Sequence, residues 1–105
     1  SSDFLGIEFD PQRGHEQPAH RPPVVLSRAR YNGRAGLMIC CPMTTQIKGY
    51  PFEVEVDFDG TKSVVLADQV KSLDWKPRRA RKKATVSSDV LAHVRAMLKV
   101  LLVIA

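Results

Sequence analysis

The stretch FEVEVDFDG, residues 52–60, alternates apolar and acidic side chains without a fault. Successive residues of an extended strand point to opposite faces. A period of two therefore gives Phe52, Val54, Val56 and Phe58 a buried face and leaves Glu53, Glu55, Asp57 and Asp59 in water. Asp59-Gly60 is a hairpin turn signal, and Ser63 to Ala67 is the returning strand. Upstream, Leu37 to Cys41 reads as a buried strand ended by Pro42, preceded by a turn at Asn32-Gly33. Val24-Val25-Leu26, β-branched and apolar behind Pro22-Pro23, reads as an earlier strand, and Phe4 to Phe9 as the first, ended by Asp10-Pro11. The strands follow one another as a meander.

Downstream, Ala84-Thr85-Val86 is a last short strand, and Ser87 or Ser88 with Asp89 marks a helix start. Val90, Leu91, Val94, Met97, Leu98 and Leu101 recur at helical spacing, an apolar stripe that docks on the sheet or on a second subunit. The expected fold is mainly β with a C-terminal helix (α+β): a small, strongly curved antiparallel sheet or barrel closed by one helix. At 105 residues and 44% hydrophobic, residues 1–105 are expected to form a single domain.

The formal charge of +5 is concentrated. Of the sixteen Lys and Arg, six fall within the eight residues Lys76 to Lys83; the other ten face eleven Asp and Glu. Such a segment attracts polyanions, nucleic acid above all, or is simply a solvated basic loop. Cys40 and Cys41 are adjacent and have no other cysteine to pair with, so they read as small core residues in a reducing compartment, and the protein as cytoplasmic. The apolar tail from Met97 is far shorter than a bilayer span and is interrupted by Lys99, so no membrane partner is expected.

Among polar residues, His15 and His20 suggest a metal, but the one other histidine is His93 on the helix. A site needs at least three convergent ligands, so none is expected. No Gly-rich phosphate loop or serine elbow is present. Glu16, Arg21, the two histidines, Thr44-Thr45 and the basic segment remain. RNA cleavage by its own 2′-hydroxyl needs a proton acceptor, donors for a charged phosphorane and a proton for the leaving 5′-oxygen, with no cofactor. Arg21 offers a planar fork for phosphate oxygens, Thr44 a hydroxyl donor and Glu16 a proton acceptor. Residues of these types in turns are otherwise ordinary solvated side chains.

In order and spacing, several short stretches together resemble the MazF/PemK family of ribonuclease toxins, the MazF branch in particular. They are Phe9-Asp10-Pro11, Gly14-His15-Glu16-Gln17, His20-Arg21-Pro22 with Val24 to Ser27, Tyr31-Asn32, Pro42 with Thr44-Thr45-Gln46, Lys48 to Val54, and Leu66 to Ser72. The resemblance implies an SH3-like barrel, a homodimer and a type II toxin–antitoxin system. It also implies metal-independent cleavage of single-stranded RNA at a short motif, with ACA the first triplet to try, leaving 2′,3′-cyclic phosphate and 5′-hydroxyl ends. By position it makes Arg21, Thr44 and Glu16 catalytic. RNA contacts are expected at His15, Gln17, His20, Thr45, Lys48 and Gln69, joined by Arg78, Arg79 and Arg81 of the basic segment. The expected partner is a cognate MazE-like antitoxin with an acidic, flexible tail.

Two departures stand out. The PemK branch carries an Arg two positions before Asp68, where this chain has Leu66, so Asp68 is expected to be structural. Family members usually begin earlier, so a segment ahead of the first strand is expected to be missing here. Two rivals stay open: a gyrase poison on the same fold, against which the absence of an aromatic in Leu102 to Ala105 counts, and a barrel that binds nucleic acid without cutting it.

Overall fold

The computed structural model describes residues 5–8, 20–74 and 81–104, the backbone alone at 5–8, 20–21 and 81–85. The chain order is β1 (Leu5–Glu8), β2 (His20–Val25), α1 (Ala29–Ala35), β3 (Leu37–Thr44), β4 (Glu53–Phe58) and β5 (Thr61–Leu66). A one-turn 3-10 helix (Ala67–Gln69), β6 (Lys71–Asp74), β7 (Arg81–Thr85) and α2 (Ser88–Leu102) follow. The described ladders are all antiparallel, in the order β4-β5-β3-β2-β1-β7, with β6 also paired to β3. The mainly β architecture with a C-terminal helix is as expected. The simple meander is not: β5 lies between β4 and β3, which leaves β4 as an edge. No ladder among the described residues joins β4 to β7, so the barrel-like sheet is open between them.

The 52–60 stretch folds as its alternation requires. Val54, Val56 and Phe58 are buried while Glu55 and Asp57 are exposed. The hairpin closes through Asp59 and Gly60, both at positive φ (57° and 78°), the backbone of a tight turn whose twist matches the strands.

Upstream, the sequence reading needs two corrections. Asn32-Gly33 is not a turn but lies inside α1. The chain reverses instead at Gly36, in the left-handed region (φ 73°), whose N–H donates to the Asn32 carbonyl. Ser27 supplies the local reason, donating its hydroxyl to Asn32 Oδ1 at 2.5 Å while accepting from the Ile39 N–H at 2.9 Å. Asn32 is thereby tied to the start of the helix instead of forming a turn. Nor does Pro42 end β3, which runs on to Thr44. Over Leu37–Cys40 its partner is β6, and at Met43 and Thr44 it is β5. Pro42 falls between the two partners, where a missing N–H removes no ladder bond. The burial parity of the strand flips just before Pro42, so that Cys40 and Cys41 are buried in succession.

On the other edge of β3, the register with β2 shifts between Arg21 and Val24, across Pro22-Pro23. The last strand, expected from Ala84, begins at Arg81, so part of the basic segment pairs with β1. Ser87 caps α2, its hydroxyl accepting from the Val90 N–H at 3.2 Å. Leu91 and Val94 are buried, and the helix packs on the 3-10 turn and β4. The core joins Val24, Val25, Met38, Met43, Val54, Val65, Leu91 and Val94.

Candidate functional site

Where β3 leaves the sheet at Thr44, the fold forms an open cleft of about 510 Å³. Its apolar lining is Pro23, Pro42, Met43, Leu66 and Leu73; its polar lining is Thr44, Gln46, Lys48, Tyr50, Glu53, Asp68, Gln69 and Lys71. Pro23 and Pro42 come from the two strand segments where register and pairing change, so the same prolines that loosen the ladders line the cleft.

The 45–52 connection is held by one carboxylate. Glu53 accepts the Lys48 N–H at 3.0 Å and the Gly49 N–H at 2.9 Å. Its own N–H donates to the Tyr50 carbonyl at 3.2 Å. Two successive N–H groups converge on one anion because Gly49 is at φ 79°, a conformation that costs glycine nothing. The clasp presents Lys48 and Tyr50 together, with the ammonium 6.0 Å from the ring centroid, the outer reach of a cation–π contact. Thr44 Oγ1 accepts from the Gln46 N–H at 3.1 Å, which fixes the start of the same connection.

Asp68 and Gln69 enter from the 3-10 turn, which is anchored by the Ala67 N–H donating to the Phe52 carbonyl at 3.1 Å and by the Cys41 thiol directed at the Ala67 carbonyl at 3.9 Å. Burial, reinforced by Cys40 and Asp68, pushes the Cys41 thiol up to about 12. It is a neutral core thiol rather than a nucleophile.

Of the expected site residues, Thr44, Lys48 and Gln69 come together in the cleft lining. Thr45 is half-buried beside them without lining it. His20 is the register partner of Thr44, and Arg21 that of Met43, which brings the backbone of both to this end of the sheet. Arg81, on β7, is the register partner of Glu8 of β1 and is separated from β3 in the sheet by β2 and β1. His15, Glu16, Gln17, Arg78 and Arg79 lie outside the described residues. Asp68, expected to be structural, is exposed and lines the cleft.

The sequence reading missed Gln46, Tyr50, Glu53 and Lys71. A signal existed for Tyr50, an aromatic set between Gly49 and Pro51 and hence on a loop. None existed for Glu53, whose place in a perfect alternation assigned it to water. Among the described residues no three or more His, Cys, Asp or Glu side chains gather into a cation site, and no helix is long and apolar enough to cross a membrane.

A cleft with a hydroxyl, two ammonium groups, amides and an exposed tyrosine has donors for phosphate oxygens and a plane for a base. The fold and cleft thus define a small barrel-like β protein with an open polar cleft at the end of β3, in which Glu53 and Asp68 stand beside Lys48 and Lys71. Comparison makes this more specific. Residues 2–102 match the family described as PemK-like, MazF-like toxin of type II toxin–antitoxin system. The chain is 48% identical over 100 residues to the endoribonuclease toxin MazF of Escherichia coli K12, covering 95% of this chain and 90% of that one. It superposes on crystal structures from Deinococcus radiodurans. With MazF the TM-score is 0.78 at 50% identity, over 99% of this chain and 96% of that one. With a MazE–MazF crystal the TM-score is 0.80 at 44% identity, over 99% of both chains. The chain belongs to the PemK-like, MazF-like toxin family, on its MazF side.

Proposed function

We propose that this chain is the endoribonuclease toxin of a type II pair, cutting single-stranded RNA without a metal. The observation that carries the reading is Thr44 in the cleft with His20 opposite it and Arg21 next along β2. In the proposed reaction the substrate's 2′-oxygen attacks the adjacent phosphorus as the bond to the 5′-oxygen breaks. The 2′-hydroxyl proton passes to Glu16 or water, and the leaving 5′-oxygen takes a proton, giving 2′,3′-cyclic phosphate and 5′-hydroxyl ends. A guanidinium stays protonated, so Arg21 stabilises the phosphorane instead of moving protons, and Thr44 donates its hydroxyl to the same group. Lys48, Gln69 and Tyr50 line the path of the flanking nucleotides, and an ACA-like triplet is the proposed motif.

Incubating single-stranded RNA with the protein in EDTA and mapping the ends tests this. Cyclic-phosphate termini that vanish in Arg21→Ala and Thr44→Ala are expected. Intact RNA with the wild type, or undiminished cutting by both variants, overturns the reading.

The same reading includes a MazE-like antitoxin as inhibitor, supported by the MazE–MazF crystals of the Deinococcus relative, and growth arrest through loss of mRNA. It also includes a homodimer. Val100, Leu102, Val103 and Ile104 leave an apolar patch exposed at the end of α2, which a second copy would cover. Sedimentation at rising concentration tests the dimer.

A further inference from the structure

At the opposite end of β3 from Thr44 lies a second cationic surface. Arg28, Arg30 and Arg34 are exposed on and beside α1, with Tyr31 41% exposed among them. Packing does not account for this composition, because α1 contributes no buried residue and meets the fold through β3. Folding accounts for it only at Arg34, whose cation sits in the last turn of α1, where the helix dipole favours it. Arg28 is the N-cap, makes no capping hydrogen bond and places a cation at the positive end of the helix. Arg30 and Arg34, four apart, are neighbours on one face and repel, with Tyr31 three residues before Arg34 at their border. Among the described residues none of the three guanidiniums has an ion-pair partner.

The surface is joined to the cleft by β3 itself. Exposed Lys71, part of the cleft lining, stands opposite Cys40 in the middle of that strand. Lys48, four residues past the end of β3, Lys71, opposite its middle, and Arg34, three residues before its start, thus follow the course of one strand. At about 3.3 Å per residue, β3 separates Thr44 from α1 by roughly 25 Å, a distance that an RNA seated at Thr44 spans only with the nucleotides flanking its cut site.

We propose that α1 is a secondary binding site for the flanking strand of the RNA substrate, with phosphates on the α1 arginines and a base on Tyr31, a pairing of guanidinium and aromatic suited to single strands. The proposal rests on the RNA-cleaving reading and concerns binding of long substrates, not the chemical step.

The test uses the triple variant Arg28→Gln, Arg30→Gln, Arg34→Gln and fully 2′-O-methylated RNA, which has no 2′-hydroxyl to attack. One probe is just long enough to fill the cleft and one several times longer. The variant should bind the long probe about tenfold more weakly and the short one as the wild type does. Its salt dependence on the long probe should flatten by about 0.7 in log–log slope for each phosphate no longer neutralised. An unchanged melting temperature verifies the fold, and an unchanged cutting rate on a short cleavable RNA is expected. Equal affinity and slope on the long probe, or an equal loss on both lengths, overturns the proposal. So does a loss confined to an acidic peptide, which would make α1 a protein-docking surface. Failure of the wild type to cut unmodified RNA is a separate readout and overturns the cleavage reading alone.

Discussion

Thr44 closes β3 directly opposite His20, so the hydroxyl assigned to the phosphate stands one ladder rung from the strand that carries Arg21. Thr44→Val keeps the β-branched shape and removes only the hydroxyl. Losing one donor to a developing oxyanion costs about 10² to 10³ in rate. Single-turnover cleavage should fall by that factor, while KM rises only modestly and stability drops by no more than about 1 kcal/mol, since the exposed Gln46 N–H that loses its acceptor turns to water.

The Glu53 clasp should be separable from chemistry. In Glu53→Ala the Lys48 and Gly49 N–H groups lose their acceptor. Both are near solvent, so the cost in stability is modest, about 1 kcal/mol. The connection bearing Lys48 and Tyr50 loosens, so KM should rise more than kcat falls. Steady-state kinetics with urea denaturation checks both halves.

Two glycines should respond in opposite directions to alanine. Gly33 sits inside α1, and the space a methyl group would take there has nothing within 4 Å, so Gly33→Ala should stabilise by up to about 1 kcal/mol. Gly60 also has open space but lies at φ 78°, so Gly60→Ala should destabilise by about 1–2 kcal/mol. Thermal melts of the pair distinguish helix from turn at each position.

Cys41 should impose an alkaline limit. Its thiol is raised from 9.0 to about 12 in the fold. Above pH 9 the unfolded chain therefore releases a proton that the folded chain keeps. The contribution is complete below pH 9 and is lost as the pH rises from 9 toward 12, by up to about 1.4 kcal/mol per pH unit. Urea titrations should show this slope in the wild type and a shallower one in Cys41→Ala.

Legibility in the sequence followed how local the deciding physics was. The β4–β5 hairpin was readable because alternation and Asp59-Gly60 are local signals that the fold leaves alone. The start of α2 was readable because Ser87 caps its own helix. α1 was not, since the bond that makes Asn32 helical comes from Ser27, itself fixed by Ile39 of the next strand. The reach of β3 past Pro42 depended on its change of partner from β6 to β5. In the cleft, Thr44 was singled out by its hydroxyl and then by resemblance, and Gln69 by resemblance alone, whereas Glu53 became visible only when its carboxylate was seen to hold a backbone turn.

The two ends of the sheet order carry opposite charge. β4 bears Glu53, Glu55 and Asp57, and β7 bears Arg81, Lys82 and Lys83. Lys62 of β5 offsets part of the β4 charge, 3.9 Å from Glu55, so the contrast predicts that a polyanion is drawn to the β7 margin more than it is repelled from the β4 one. The sheet is thereby predicted to act as a compass needle, turning the domain in the field of a polyanion so that encounters begin already oriented. Added salt should erase that orientation before it erases the short-range interactions themselves.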